Sequence, residues 1–246
     1  MSMGVAPLRM GDIEELERAP LDIRAIASVI EHTLLKPNAM EDDIDIRRLC
    51  EEAGRYGFAT VCINPIYIPL AKDLLRGSNV KVCVAIGFPL GATFNEVKVF
   101  EARKYVEEGA DEIDIVMNIP MFKSGKYDYV LQEIREVKEV VRDKMLKVII
   151  ETCYLSDDEK VRAAKIVEKA GADFVKTSTG FGPAGAKVED IKLLRGILSP
   201  RVRIKASGGI RTAKQVIELI KAGADRIGTS SGVNIMKELE KMSLQT

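Results

Sequence analysis

Histidine is nearly missing from this chain: His32 is the single one among 246 residues. A catalytic zinc site draws on several imidazoles or on a cluster of thiolates, so one histidine points to amine rather than metal chemistry. Cysteine is scarce too. Cys50, Cys62, Cys83 and Cys153 are widely spaced with no CxxC pair. Three of them fall in apolar, strand-like runs, which reads as reduced structural thiols. Net charge is absent, with 37 basic residues set against 37 acidic ones. That balance gives no electrostatic reason to expect nucleic acid or an anionic membrane as a partner. Long apolar runs are lacking as well, and the opening "MSMGVAPLRMGDIEELERAP" carries acids and no extended apolar core. Neither a bilayer span nor a secretory signal is expected, and the cytoplasm is the expected compartment. Finally, no GxGxxG follows the first strand-like run, which counts against a dinucleotide-binding, doubly wound sheet.

What is present is an internal echo. "EEGADEIDIVMN" from 107, "KAGADFVKTSTG" from 169 and "KAGADRIGTSSG" from 221 each end a helical pattern on glycine, turn through Ala-Asp and enter an apolar run. Outward from these anchors, strand-length apolar runs lie around 32–35, 60–63, 81–86, 112–117, 147–152, 173–177, 202–206 and 226–229. Amphipathic, charge-rich stretches such as "EVKVFEARKYVEEG" separate them. Strands alternating with helices in a chain of this length predict an α/β fold, a closed (β/α)8 TIM barrel over 31–246. Residues 1–30 read as one or two extra helices before the first strand, placed to plug the barrel bottom or to meet a second subunit.

Chemistry in such a barrel sits where strands end. Lys176 follows "DFV", Lys205 follows "RVRI", and Asp114 lies between isoleucines in "EIDIVMN". Strand alternation puts Lys176 on a face with Phe174, Lys205 with Arg203, and Asp114 with Glu112 and Val116. A lone lysine is most often a solvated surface charge, and the bland reading of Lys205 with Asp114 is a structural ion pair. Two lysines ending separate apolar strands are harder to explain that way. An ammonium beside another in a partly desolvated mouth holds its proton less firmly, and a neutral amine attacks an aldehyde. "SGGIRT" (207–212) and "GTSSGV" (228–233) each precede a helix, where backbone N–H groups hold phosphate in many barrels. His32 reads as a hydrogen-bonded structural residue of the first strand.

Together these motifs resemble the deoxyribose-phosphate aldolase family. The matching stretches are "EHTLLKP" (31–37), "VCINP" (61–65), "IGFPLGA" (86–92), "DEIDIVMNI" (111–119), "KVIIET" (147–152), "FVKTSTGF" (174–181), "IKASGGIRT" (204–212) and "RIGTSSG" (226–232). They run in family order from about residue 25 to the C-terminus. The resemblance implies a class I aldolase that cleaves 2-deoxy-D-ribose 5-phosphate reversibly into D-glyceraldehyde 3-phosphate and acetaldehyde, with no metal or other cofactor. It makes Lys176 the Schiff-base lysine, with Asp114 and Lys205 relaying protons. Thr33, Thr179, Gly180, Ser207, Gly208, Gly209, Arg211, Gly228, Ser230 and Ser231 would line the substrate and phosphate pocket. A homodimer or homotetramer is the expected assembly, and sugar phosphates and aldehydes are the expected ligands. Two departures stand out: Glu31 replaces a common aspartate, and Phe181 stands where some relatives carry a phosphate-facing lysine. The alternatives are another lysine-dependent barrel aldolase or a transaldolase, and a non-catalytic sugar-phosphate-binding barrel.

Overall fold

The computed structural model describes residues 22–36 and 43–244. Eight strands, β1 Ile30–Leu34, β2 Thr60–Ile63, β3 Lys81–Ile86, β4 Glu112–Val116, β5 Met145–Ile149, β6 Phe174–Lys176, β7 Arg203–Ser207 and β8 Arg226–Thr229, pair in parallel and in chain order. The last pairs with the first, closing a barrel. Around it run α1 Ile23–Ala27, α2 Ile44–Tyr56, α3 Ile68–Leu74, α4 Asn95–Glu107, α5 Ile119–Lys123, α6 Tyr127–Val141, α7 Asp157–Ala170, α8 Val188–Ile197, α9 Ala213–Lys221 and α10 Gly232–Ser243. Of the helical extension expected over 1–30, residues 1–21 lie outside the described residues. Helix α1 buries Ile26 and Ala27 and packs against α10.

The repeated Gly-Ala-Asp motif has a physical reason. The helices before β4, β6 and β8 each end near a glycine of positive φ, Gly109, Gly171 and Gly223 in turn, a conformation that costs other residues a steric clash. The aspartate that follows then exchanges two hydrogen bonds with the strand next door. Asp111 donates its N–H to Val82 O (2.8 Å) and accepts from Val82 N on Oδ2 (2.9 Å). Asp173 does the same with Leu146 (3.0 and 2.8 Å), and Asp225 with Ile204 (2.8 and 2.8 Å). The sequence echo is therefore a staple used three times, on β3/β4, β5/β6 and β7/β8. At β1/β2 the equivalent turn holds Gly57 and Ala59, and only the backbone bond from Ala59 N to Ile30 O forms (2.9 Å).

Two strands depart most from expectation. β1 begins at Ile30 rather than near 32. β5 stops at Ile149 rather than 152, because Glu151 takes left-handed backbone angles (φ 43°, ψ 68°) that no strand can continue through. Cys153 consequently sits in a single turn of 3-10 helix, not in a strand, and Cys50 lies on α2.

Register fixes what fills the barrel. Glu31 faces Thr60 and Gly228, Thr33 faces Cys62, Cys62 faces Cys83, and Cys83 faces Glu112. Asp114 faces Lys147, Lys176 faces Lys205, and Lys205 faces Arg226. Paired residues on neighbouring strands point to one side of a sheet, so these side chains share the interior. Aliphatic side chains fill the layer between sheet and helices instead, among them Val82, Val84, Ile113, Ile115, Leu146 and Val148. This core is polar at its axis and apolar around it.

Candidate active site

Asp114 organises the upper barrel. Its Oδ2 accepts hydrogen bonds from Lys176 Nζ (2.8 Å) and Lys205 Nζ (2.7 Å). Its Oδ1 accepts from Lys147 Nζ (2.9 Å) and the Cys83 thiol (3.2 Å). Four donors on one carboxylate fill its lone-pair sites and fix its orientation. Lys205 also donates to Glu31 Oε2. Lys147 meets Glu112 Oε2 at 2.6 Å, and Arg226 lies 3.7 Å from Glu31 Oε1 and 3.8 Å from Glu112 Oε1. Glu31, Glu112, Asp114, Lys147, Lys176 and Lys205 are each at most 3% exposed, so water screens little of this. The three residues expected to converge do converge, and Lys176 lies on β6 between Ile149 and Lys205.

The three amines are not equally partnered. Three carboxylates, Glu31, Glu112 and Asp114, face four basic groups, Lys147, Lys176, Lys205 and Arg226. Burial disfavours charge on Lys205, yet Asp114 and Glu31 outweigh it and push its pKa up. Burial likewise opposes charge on Lys147, and Asp114 followed by Cys83 and Glu112 pushes that ammonium well above the usual lysine range. Burial raises Asp114, but Lys147, Lys176 and Lys205 hold it well below the usual carboxylate range. An arginine keeps its proton at any ordinary pH. Lys176, the most exposed of the three lysines and the last residue of β6, pairs among the described residues with Asp114 alone, sharing Oδ2 with Lys205. The expectation that neighbouring ammonium groups loosen each other's protons fails for Lys205, because both Asp114 and Glu31 partner it.

Above the cluster, the β6 loop bends over the opening. Thr33 donates its hydroxyl to Glu31 O (3.0 Å) one step above that carboxylate on β1. Ser207 Oγ donates to Ser178 O (2.6 Å), tying the end of β7 to the β6 loop. Gly180, Gly185 and Gly208 meet backbone to backbone; a Cβ on Gly185 would lie 2.0 Å from Gly208 O. At Gly228 a Cβ would lie 3.1 Å from Lys205 Cε and 3.0 Å from Ser207 Cβ, so this glycine leaves the lysine its room. Thr179 donates both its N–H (3.2 Å) and its hydroxyl to the buried Glu151.

The two helix starts expected to hold phosphate are not equivalent. At α9, Thr212 and Gln215 form a capping box, and Ala213 N donates to Glu238 Oε2 (2.7 Å). Its end is already occupied, and a carboxylate sits on it. At α10, Ser231 occupies the cap position beside the exposed Ser230, and among the described residues no side chain caps the helix. Gly208 and Gly209, both at positive φ, complete that side of the opening, and Arg211 is exposed at its edge. His32 points away from the interior, with Nε2 2.8 Å from Glu52 and its ring edge-on to Phe58.

Sequence reasoning passed over several residues. Lys147 read as the first residue of an apolar strand; its register partner, Asp114, was the available signal. Glu151 read as the end of the same strand. The cysteines read as isolated, yet Cys62, Cys83 and Asp114 have ligand atoms within 4.8 Å of one another, as do Glu31, Cys83 and Glu112. Three ammonium groups already occupy the Asp114 oxygens at that place.

Comparison with known proteins supplies the family. A model of the DeoC/LacD family of aldolases matches residues 25–238. The chain belongs to that family. The deoxyribose-phosphate aldolase of Caldanaerobacter subterraneus subsp. tengcongensis is 55% identical over 222 residues, covering 89% of this chain and 95% of the relative. That of Thermococcus gammatolerans is 56% identical over 216 residues, covering 86% and 95%. The tetrameric deoxyribose phosphate aldolase of Aeropyrum pernix superposes with a TM-score of 0.84 at 34% identity, over 96% of this chain and 100% of that one. At the aldolase's rim, Phe181 packs edge-on against Phe88, with ring centroids 5.3 Å apart, and is half exposed. That position offers no positive charge.

Proposed function

We propose that this aldolase cleaves 2-deoxy-D-ribose 5-phosphate reversibly into D-glyceraldehyde 3-phosphate and acetaldehyde, with Lys176 as the Schiff-base lysine. The observation that carries the reading is the buried cluster around Asp114, in which Lys205 has two carboxylate partners and Lys176, at the end of β6, has Asp114 alone. Lys176 adds to the aldehyde carbon of the open-chain sugar, and loss of water gives a protonated imine. Removal of the C3 hydroxyl proton breaks the C2–C3 bond, releasing the first aldehyde and leaving an enamine on Lys176. Protonation at carbon and hydrolysis then release acetaldehyde. Asp114 and Lys205, joined at Oδ2, shuttle these protons through water, and Lys147 with Cys83 holds Asp114 in place.

The phosphate is taken by the Ser230–Ser231 start of α10 and the Gly208–Gly209 turn, with Thr33, Thr179 and Gly180 lining the sugar's path. Phe181 weakens the demand for that phosphate, which predicts similar turnover of deoxyribose and its 5-phosphate; a strict demand for the phosphate overturns this part. The assembly is a homodimer or homotetramer, supported by the tetrameric relative and by the exposed row Leu90, Phe94, Val97 and Phe100. The compartment is the cytoplasm, consistent with four free cysteines. Borohydride reduction in the presence of acetaldehyde, followed by peptide mass spectrometry, tests the central step. An adduct on Lys176, absent from Lys176→Leu along with acetaldehyde release, is the expected result. An adduct on Lys147 or Lys205, or dihydroxyacetone transfer in place of acetaldehyde release, refutes it.

A further inference from the structure

Cys62 and Cys83 are partners in register on the adjacent parallel strands β2 and β3, and both point into the barrel. Neighbouring strands run about 4.8 Å apart, inside the Cα separation of about 4.4–6.8 Å that a disulfide spans. Their sulfur atoms lie within 4.8 Å of each other and of an Asp114 oxygen. Both are free thiols. We propose that Cys62 and Cys83 are a modification site: an oxidisable dithiol that a small hydroperoxide, entering by the substrate's route, converts to a disulfide with reversible loss of aldolase activity.

The two sulfurs are chemically unequal. The neighbouring Cys83, together with the charges of Lys205 and Lys176, outweighs burial and holds the Cys62 thiol below its usual range. Burial, the hydrogen bond to Cys62 and the Asp114 charge push Cys83 well above it. Cys62 is accordingly the attacking sulfur and Cys83 the resolving one. The Cys62 thiol attacks the peroxide, cleaving the O–O bond to give a sulfenic acid and an alcohol, or water when hydrogen peroxide is used. Cys83 then attacks the sulfenic sulfur, forming the S–S bond and releasing water. Overall two thiols lose two electrons and two protons, and the peroxide takes them up.

The link has a mechanistic consequence because the Cys83 thiol is one of the four donors on Asp114. Once oxidised, that sulfur has no proton to donate, and Asp114 loses part of what orients it toward Lys176 and Lys205. Removing one donor from a charged acceptor corresponds to roughly a tenfold or larger fall in rate.

The test is titration of the full chain with hydrogen peroxide. Each protein is scored against its own untreated rate and then treated with dithiothreitol. Cys153, half-buried and beside Glu151, is the other thiol near the mouth, so Cys153→Ser is run alongside. Wild type and Cys153→Ser are expected to lose about nine-tenths of their activity. They should regain it with dithiothreitol and yield a non-reduced peptide joining Cys62 to Cys83. Cys62→Ala should be inactivated about tenfold more slowly. Cys83→Ala, which lacks the donor to Asp114 before oxidation, should form no link and should carry on Cys62 a sulfinate that dithiothreitol does not remove. A link through Cys153, reversible inactivation without the Cys62–Cys83 peptide, or equal sensitivity of wild type and Cys62→Ala would each overturn the proposal. Peptide mapping of the wild type decides the matter even where a variant fails to fold.

Discussion

Two buried charge clusters lie on either side of β4, and they behave oppositely. Behind the strand, Lys98 and Glu133 pair at 2.7 Å with neither exposed at all. Lys98 also donates to Val116 O (2.8 Å), and Glu133 accepts from Asn118 N (3.1 Å), so the pair clamps the end of the strand that carries Asp114. Burial wins there: it pulls the Lys98 pKa down and pushes that of Glu133 up in spite of their attraction. In front, Asp114 faces three ammonium groups and partners win over burial. A lone pair in a dry site leans toward neutrality on both members, whereas a carboxylate with several cationic partners keeps its charge despite burial.

The sharpest way to break the contrast is to remove the hub. Asp114→Asn leaves three cations without their shared carboxylate, and kcat should fall about 10^2- to 10^4-fold in the acetaldehyde-release assay. Emptying the rear pair acts on stability instead. Lys98→Met should cost about 3–5 kcal/mol in urea unfolding, with much of that returned in the Lys98→Met/Glu133→Leu double variant. The pH profile of kcat/KM should stay where it was. Acid unfolding probes the front cluster at Glu31. Burial raises its pKa but Lys147 and Lys205 dominate and bring it to about 2, against an unfolded value near 4.5. A depressed carboxylate contributes stability that is complete above the unfolded pKa and disappears as pH falls toward 2, on the order of 3 kcal/mol in all. Wild type should therefore lose stability over that window faster than Glu31→Gln. The finest test concerns a single donor. Lys147→Met takes one of the four donors from Asp114, and kcat should fall roughly tenfold in the acetaldehyde-release assay; an unchanged kcat would remove the orientation of Asp114 as an explanation.

Much of the site was legible because strand alternation is a strict rule. Parity alone sends Lys176, Lys205 and Asp114 to one side of their strands, and closure of the barrel does the rest. The capping box at Thr212 and Gln215 was also written in the sequence, and with it the sign that α9 is a poor phosphate seat. Lys98 and Glu133 were not legible, since charges on amphipathic helices ordinarily mark the solvated face. Cys62 and Cys83 passed as small hydrophobes for want of a register. Glu151 was hidden by its backbone, as a left-handed glutamate carries no mark in composition.

The interior charges are divided along the chain in a way that bears on how the barrel assembles. Glu31, Glu112 and Asp114 all come from β1 to β4, and Lys147, Lys176, Lys205 and Arg226 all come from β5 to β8. Cut near Arg142, the polypeptide would yield one fragment lined with anions and another lined with cations. Neither fragment could shut its lining away from water unaided. Each is the other's counterion, and closing the barrel brings the two linings together.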